Sequence, residues 1–309
     1  MKAARKILSM AAAVVVLSFV TFLAFAILPG DAAQARLGTD ATPEQVEALR
    51  EEMGLNDNVL VRYGRWVKGV LHGDLGTSIR FRCPVSDLFK QMLPNTLLLA
   101  GVAFAIILVL SFPLGMLYAR YPGSVGDRFG VFVNQTFMAI PGFFLGIVVS
   151  VVLGIGLKLF IPGAFVSYDE GLGACLAYLF FPALSIALPK VAMTVRFLRS
   201  ALLTEKQKDY VRTARSKGIG EWEIIGKHLM PNALAASVTF LGVIVSEIVA
   251  GSIVIEQVFG VNGLGRLLVS SVANRDYDVV QALVLYIGIV VIVLNGVIES
   301  LVQKGGETE

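Results

Sequence analysis

Apolar and polar residues follow one another along this chain in long blocks, not at the short periods of soluble helices or strands. Six blocks supply the about 20 mostly apolar residues that a helix needs to cross the hydrocarbon core of a bilayer. They are residues 7–28, 95–119, 140–160 with a less apolar run-up from Phe129, 176–197, 231–255 and 279–302. Pro113, Pro182 and Pro189 fall inside such blocks and predict kinks, with Pro182 and Pro189 breaking the fourth. The chain bends again at Ile140-Pro141-Gly142.

The composition agrees. Of 309 residues, 56% are hydrophobic and 16% charged, against about 25% charged in soluble domains. The net charge of +3 carries no nucleic-acid signal. The positions of the basic residues say more. Lys2, Arg5 and Lys6 precede the first block, Arg120 and Arg128 lie between the second and third, and Lys304 follows the sixth. With six spans these fall on one side together with a basic island between the fourth and fifth. That side is the cytoplasm, and both termini lie there. Ala24-Phe25-Ala26 resembles a signal-peptide cleavage site, but the apolar run of 22 residues exceeds the about 7–15 of a signal peptide, so a retained anchor over 1–28 is expected.

Residues 29–94 form an extracytoplasmic segment with eight Lys/Arg and nine Asp/Glu. Thr42-Pro43-Glu44-Gln45 combines a cap, a proline at the first helical position and a capping box. Val46, Leu49 and Met53 line one face and Gly54 ends the helix. A second amphipathic helix over 59–71 places Val59, Tyr63, Trp66 and Val70 together. His72-Gly73-Asp74-Leu75-Gly76 reads as a turn. These helices either cap the spans at the membrane surface or receive an extracytoplasmic partner. Cys83 and Cys175 show no metal or disulfide spacing; both fall on the outer side, where a bridge is open to them.

The island from Arg196 to Met230 holds eight Lys/Arg. A helix over 206–217 aligns Val211, Ala214 and Gly218 as a narrow face of small residues, flanked by Tyr210. Gly218-Ile219-Gly220 breaks it. A second helix over 221–229 carries Glu221 and Glu223 at its start, where carboxylates suit the helix dipole, and groups Trp222, Ile225 and Leu229. Two short helices on a glycine turn make a knob that docks into a groove or rests on anionic lipid.

Polar groups also enter the spans. Glu247 stands 16 residues beyond Pro231, about 24 Å along a helix, in the outer third of the bilayer. It lines a path that favours a cationic group, or it is a hydrogen-bonded packing residue. Asn134 and Gln135 line a cavity or satisfy the backbone at the bend. Gly251, Gly263 and Gly265 suit packing and turns, and Asn295 suits interhelical hydrogen bonding.

Arg212-Thr213-Ala214, three residues, Gly218, nine residues, then His228-Leu229-Met230-Pro231 resembles the "EAA" loop of ABC-importer permeases. Ala214, Gly218 and Pro231 match that pattern; Arg212, Thr213, His228 and Met230 depart from it. Tyr210–Gly218 is similar to the variant of the peptide/nickel (dipeptide/oligopeptide) branch. So are Gly73-Asp74-Leu75-Gly76-Thr77-Ser78, Phe181-Pro182-Ala183-Leu184-Ser185, Val258-Phe259-Gly260 through Gly263-Leu264-Gly265-Arg266, and Arg275-Asp276-Tyr277. The tail from Glu299 lacks the branch's Asp-Pro-Arg ending.

The resemblance implies an all-α membrane protein of the type I importer kind: six transmembrane helices and a helical extracytoplasmic segment between the first two. The anchor (1–28) and outer segment (29–94) would precede a five-helix core (95–309) with a coupling loop at 198–230. It implies a transmembrane permease subunit in a bacterial inner membrane, not an enzyme. Its partners would be a second homologous permease, two ATPase subunits, an extracytoplasmic substrate-binding protein and the bilayer. Tyr210, Arg212, Ala214, Arg215, Gly218, Glu221 and Trp222 would contact an ATPase. ATP and Mg would bind the ATPase partner and no cofactor this chain. Consistently, Gly226-Lys227-His228 lacks the upstream glycine and the hydroxyl residue of a phosphate loop. An ion-coupled secondary transporter is the alternative; it predicts paired broken helices and several buried carboxylates.

Overall fold

A computed structural model of the chain describes residues 2–27, 32–37, 41–52 and 54–306. Leu28 and Met53, assigned by the pattern to the first span and the first outer helix, lie outside the described residues. Among the described residues thirteen helices follow in order: α1 Lys2–Ile27, α2 Ala32–Leu37, α3 Pro43–Glu52, α4 Val59–Leu71, α5 Val85–Arg120, α6 Val125–Ala139, α7 Gly142–Val149, α8 Leu172–Glu205, α9 Asp209–Ser216, α10 Glu221–Glu223, α11 Met230–Phe259, α12 Leu264–Ala273 and α13 Tyr277–Gly306. α7 continues into a π-helical turn over Ser150–Gly156, and α10 into another over Ile224–Leu229. Among the described residues the β pairing is a single Thr77–Pro84 bridge.

Among the described residues five helices are long and apolar enough to cross a membrane. A sixth span exists if α6 and α7 with its π turn count as one, although they meet at 102°. The bend expected at Pro141 is therefore a break, because Ile140 and Pro141 are extended and not helical. Pro182 and Pro189, by contrast, do not break α8, which runs unbroken through both. Packed helices tolerate the lost hydrogen bond that would stop a helix in water. α5 begins at Val85, ten residues before the expected Asn95, with Pro94 inside it.

Contacts divide the chain into two compact units, residues 1–93 with 267–292 and residues 94–266 with 293–309. In the first unit α4 lies against α1 through aromatic rings. Phe19 and Phe22 stand 5.2 and 5.5 Å from Tyr63, and Phe22 stands 5.7 Å from Trp66. The Tyr63 hydroxyl meets Ser18 Oγ at 2.7 Å. The expected capping box forms: Thr42 N–H donates to Gln45 Oε1 and Gln45 N–H to Thr42 Oγ1. Gly54, at φ 62°, closes α3. The stretch after the His72–Gly76 turn is fastened to Asp276: Ser78 Oγ donates to its buried carboxylate at 2.5 Å, and the Ile79 and Arg80 N–H groups donate to it as well.

In the second unit α8 packs against α6, α7 and α11. Leu99, Ala103 and Ile107 of α5, Leu179, Ala183 and Val195 of α8, and Ile244, Ile248 and Phe259 of α11 form its core. Tyr178 donates its hydroxyl to the Phe259 carbonyl at 2.5 Å, fastening the end of α11 to α8. Cys83 and Cys175 are both free thiols, so the bridge left open by the sequence is not formed.

Candidate functional site

The polar island folds into an elbow. α8 extends to Glu205, so the helix expected over 206–217 is shorter, Asp209–Ser216, after a turn at Lys206–Lys208. Val211 and Ala214 are buried on α9, where they meet Leu198 and Leu202 of α8 and Ile224, Ile225 and Leu229 of the π turn. The small-residue face therefore packs against this chain's own helices. Ala214, expected at a partner's surface, lies inside the elbow at 7% exposure.

Gly218 turns the chain at φ 77°, and a Cβ built there would meet nothing within 4 Å. The glycine answers a backbone requirement: left-handed backbone costs other residues about 1–2 kcal/mol. Across the turn Arg215 Nε donates to Glu221 Oε1 at 2.6 Å, and Lys206 Nζ stands 3.7 Å from the other Glu221 oxygen. The Arg215 hydrogen bond, first among the causes, holds the Glu221 carboxyl below the ordinary glutamate range. Tyr210 donates to Glu205 Oε2 at 2.8 Å and accepts from Asn232 Nδ2 at 3.1 Å, so one phenol joins the ends of α8 and α11.

Trp222 was expected beside Ile225 and Leu229. Ile225 and Leu229 are fully buried, whereas Trp222 is 52% exposed. The π winding that begins at Ile224 changes the number of residues per turn, so the α-helical spacing that grouped the three does not hold. The outer surface of the elbow thus presents Arg212, Arg215, Gly218 and Trp222, while Tyr210 and Glu221 are half-buried.

Within the spans Glu247 pairs with Lys190 of α8. Both residues lie inside long apolar helices, Glu247 in α11 and Lys190 in α8. Asn134 is half-buried and Gln135 exposed on α6. Three further polar clusters are buried. Arg199 clamps Asp127 through Nε and Nη2 at 2.7 and 2.8 Å, joining α8 to α6. Glu256 is fully buried and accepts from the Thr96 hydroxyl at 2.8 Å and from the Gly265 and Arg266 N–H groups at 2.7 and 3.1 Å. A Cβ on Gly263 would strike this carboxylate. The third is Asp276, held by Ser78, Ile79 and Arg80. The apolar block over 231–255 stops one residue short of Glu256, which therefore carries no signal of burial in the sequence. Lys190 was legible as a cation inside an apolar block.

Two family models match the chain. "Binding-protein-dependent transport system inner membrane component" covers residues 111–304, and the corresponding N-terminal membrane-component model covers 3–100. A protein named as a peptide transport system permease of Brucella abortus is 35% identical over 93% of this chain and 91% of its own length. The oligopeptide transport system permease AppB of Bacillus subtilis is 35% identical over 91% of each chain. A nickel import system permease of Staphylococcus aureus is 29% identical over 96% of this chain and 88% of its own. These relatives favour ATP-driven import over the ion-coupled alternative. The chain belongs to the inner-membrane permease components of binding-protein-dependent ABC importers, in their peptide and nickel branch.

Proposed function

We propose that the elbow Asp209–Leu229 is the coupling element of a peptide importer, docking into a cleft of an ATPase subunit. The observation that carries this reading is its two-sided construction. Val211, Ala214, Ile224, Ile225 and Leu229 tie it to α8 and α11, while Arg212, Arg215 and Trp222 project outward. A push on the outer side is passed to the long helices, because the inner side is packed like a protein core. Tyr210 and Glu221 hold the elbow's shape, and Ala214 supports it from within rather than touching the partner.

The assembly contains a second homologous permease, two ATPase subunits and an extracytoplasmic binding protein that meets the 29–94 segment. This chain contributes six spans with α6 and α7 as the broken third, and both termini face the cytoplasm. ATP and Mg belong to the ATPase partners. ATPase closure biases the permease pair between inward- and outward-open states. Glu247, with Asn134 and Gln135 toward the cytoplasmic end, borders the path. The peptide relatives at 35% identity favour peptides as cargo.

Cysteine placed at Trp222 in the assembled complex tests the docking. It should form a disulfide with a cysteine in the ATPase cleft, and the bond should block uptake. Free uptake with no such bond formed would remove the elbow from the coupling route.

A further inference from the structure

Lys190 of α8 and Glu247 of α11 form an ion pair inside the apolar stretches of both helices. The pair is not sealed: 21% of the Lys190 side chain and 39% of Glu247 remain exposed. Val243 and Val254, 44% and 47% exposed, and Gly251, where a Cβ would meet nothing, continue the same open stripe of α11 at spacings of three and four residues. Thr194 donates its hydroxyl to the Lys190 carbonyl, so it does not solvate the ammonium.

A charge at the centre of a spanning helix costs about 2.5–3.5 kcal/mol on insertion scales. A half-open pair at this depth therefore faces water or protein, not lipid tails. Packing gives no reason for it, since apolar side chains of similar volume hold two helices together as well or better. An ammonium and a carboxylate side by side on an open face complement a solute that carries both charges.

We propose that the Lys190–Glu247 pair is a transient substrate site for short zwitterionic peptides: it opens to let Glu247 take the peptide's ammonium and Lys190 its carboxylate, and closes again when the peptide leaves. One ion pair becomes two when the peptide binds and reverts to one when it leaves, so neither arrival nor departure strands a charge in the membrane. An extended dipeptide spans about 7 Å, a separation that the flexible four-carbon stem of Lys190 can supply. The site presupposes a peptide importer, the function proposed above, and adds where in this chain the cargo is held.

The test uses the complete complex in proteoliposomes, with dialanine as the probe. Lys190→Met and Glu247→Gln should each lower uptake per ATP hydrolysed by about tenfold or more. The double variant Lys190→Met/Glu247→Gln should stay as low. Recovery of wild-type uptake in the double variant would mean that the pair only joins two helices, and would overturn the proposal, as would full uptake by either single variant. A dipeptide bearing a photoreactive diazirine side chain makes the same decision in the unaltered protein. Illumination during turnover should label α8 or α11 within one turn of Lys190 or Glu247, and labelling confined to other segments would overturn the site. Peptide uptake by the wild-type complex is the separate control: its absence would defeat the peptide reading itself.

Discussion

Arg215 and Glu221 face each other across the Gly218 turn, joined by a hydrogen bond of 2.6 Å from guanidinium to carboxylate. The pair closes the elbow from outside, while Val211, Ala214, Ile224 and Ile225 close it from inside. The Glu221 carboxyl is depressed in the folded state, so the stabilisation is present above the ordinary glutamate value of 4.5 and is lost as pH falls below it through the folded value. The pair is partly exposed, with side-chain exposures of 40% and 25%, and solvent screening limits its worth to about 0.5–1 kcal/mol. Glu221→Gln at pH 7 should therefore speed amide exchange over residues 209–223 severalfold, and acidification below pH 4.5 should add little further protection loss in that variant once intrinsic exchange rates are corrected for. Unchanged exchange at pH 7 would show that the pair does not hold the turn.

Gly218→Val and Gly218→Asn separate backbone strain from contact. A β-branched residue at φ 77° is strained, whereas asparagine visits the left-handed region at small cost. Within the chain the space around the position is open, so a side chain meets no intramolecular clash. Gly218→Asn should keep most ATPase binding and uptake, and Gly218→Val should lose about tenfold or more in both, as measured by co-purification and transport. Equal loss in the two variants would point to a partner pressed against Gly218 instead of a turn.

Trp222 and Ile225 are three residues apart and should fail differently. Ile225→Ala opens a cavity in the elbow core and should cost about 2–5 kcal/mol, read as a lower melting temperature and earlier proteolysis of the 205–232 segment. Trp222→Ala removes a half-exposed ring and should leave melting within about 0.5 kcal/mol of wild type while weakening ATPase association. A stability loss for Trp222→Ala as large as for Ile225→Ala would place the ring in the core.

Glu256→Ala would leave the Thr96 hydroxyl and the Gly265 and Arg266 N–H groups without their acceptor. Each stranded buried donor costs about 1–3 kcal/mol, so the variant should melt well below wild type in detergent. Thr96→Val removes one of those contacts and also the hydroxyl that accepts from Leu264 N–H, and should cost less than Glu256→Ala. A stable Glu256→Ala protein would mean that water replaces the carboxylate.

The long apolar blocks, the capping box at Thr42, the α4 helix, the turn after His72 and the glycine turn at 218 were all legible in the sequence, because each depends on neighbours within about one helical turn or on the length of a hydrophobic run. The pattern could not show that Pro182 and Pro189 leave α8 unbroken while Ile140-Pro141 breaks its helix pair by 102°. Pro182 and Pro189 each forgo a backbone hydrogen bond inside a helix that packing keeps continuous, whereas Pro141 sits at the start of a new helix, where no such bond is due.

By itself the sequence determined that this chain lives in a membrane, where its long apolar helices lie, and that a basic elbow separates two of them. Only the tertiary structure decided which way the elbow faces and which charges find partners. Ala214 turned inward against Leu198 and Leu202 of α8, and Trp222 turned outward because a π turn altered the helical spacing. Glu247 found Lys190, and Asp127 found Arg199, across 57 and 72 residues of chain. Local periodicity carries no information about such pairings; they arise when packed helices bring distant charges together in a medium where an unpaired charge is costly.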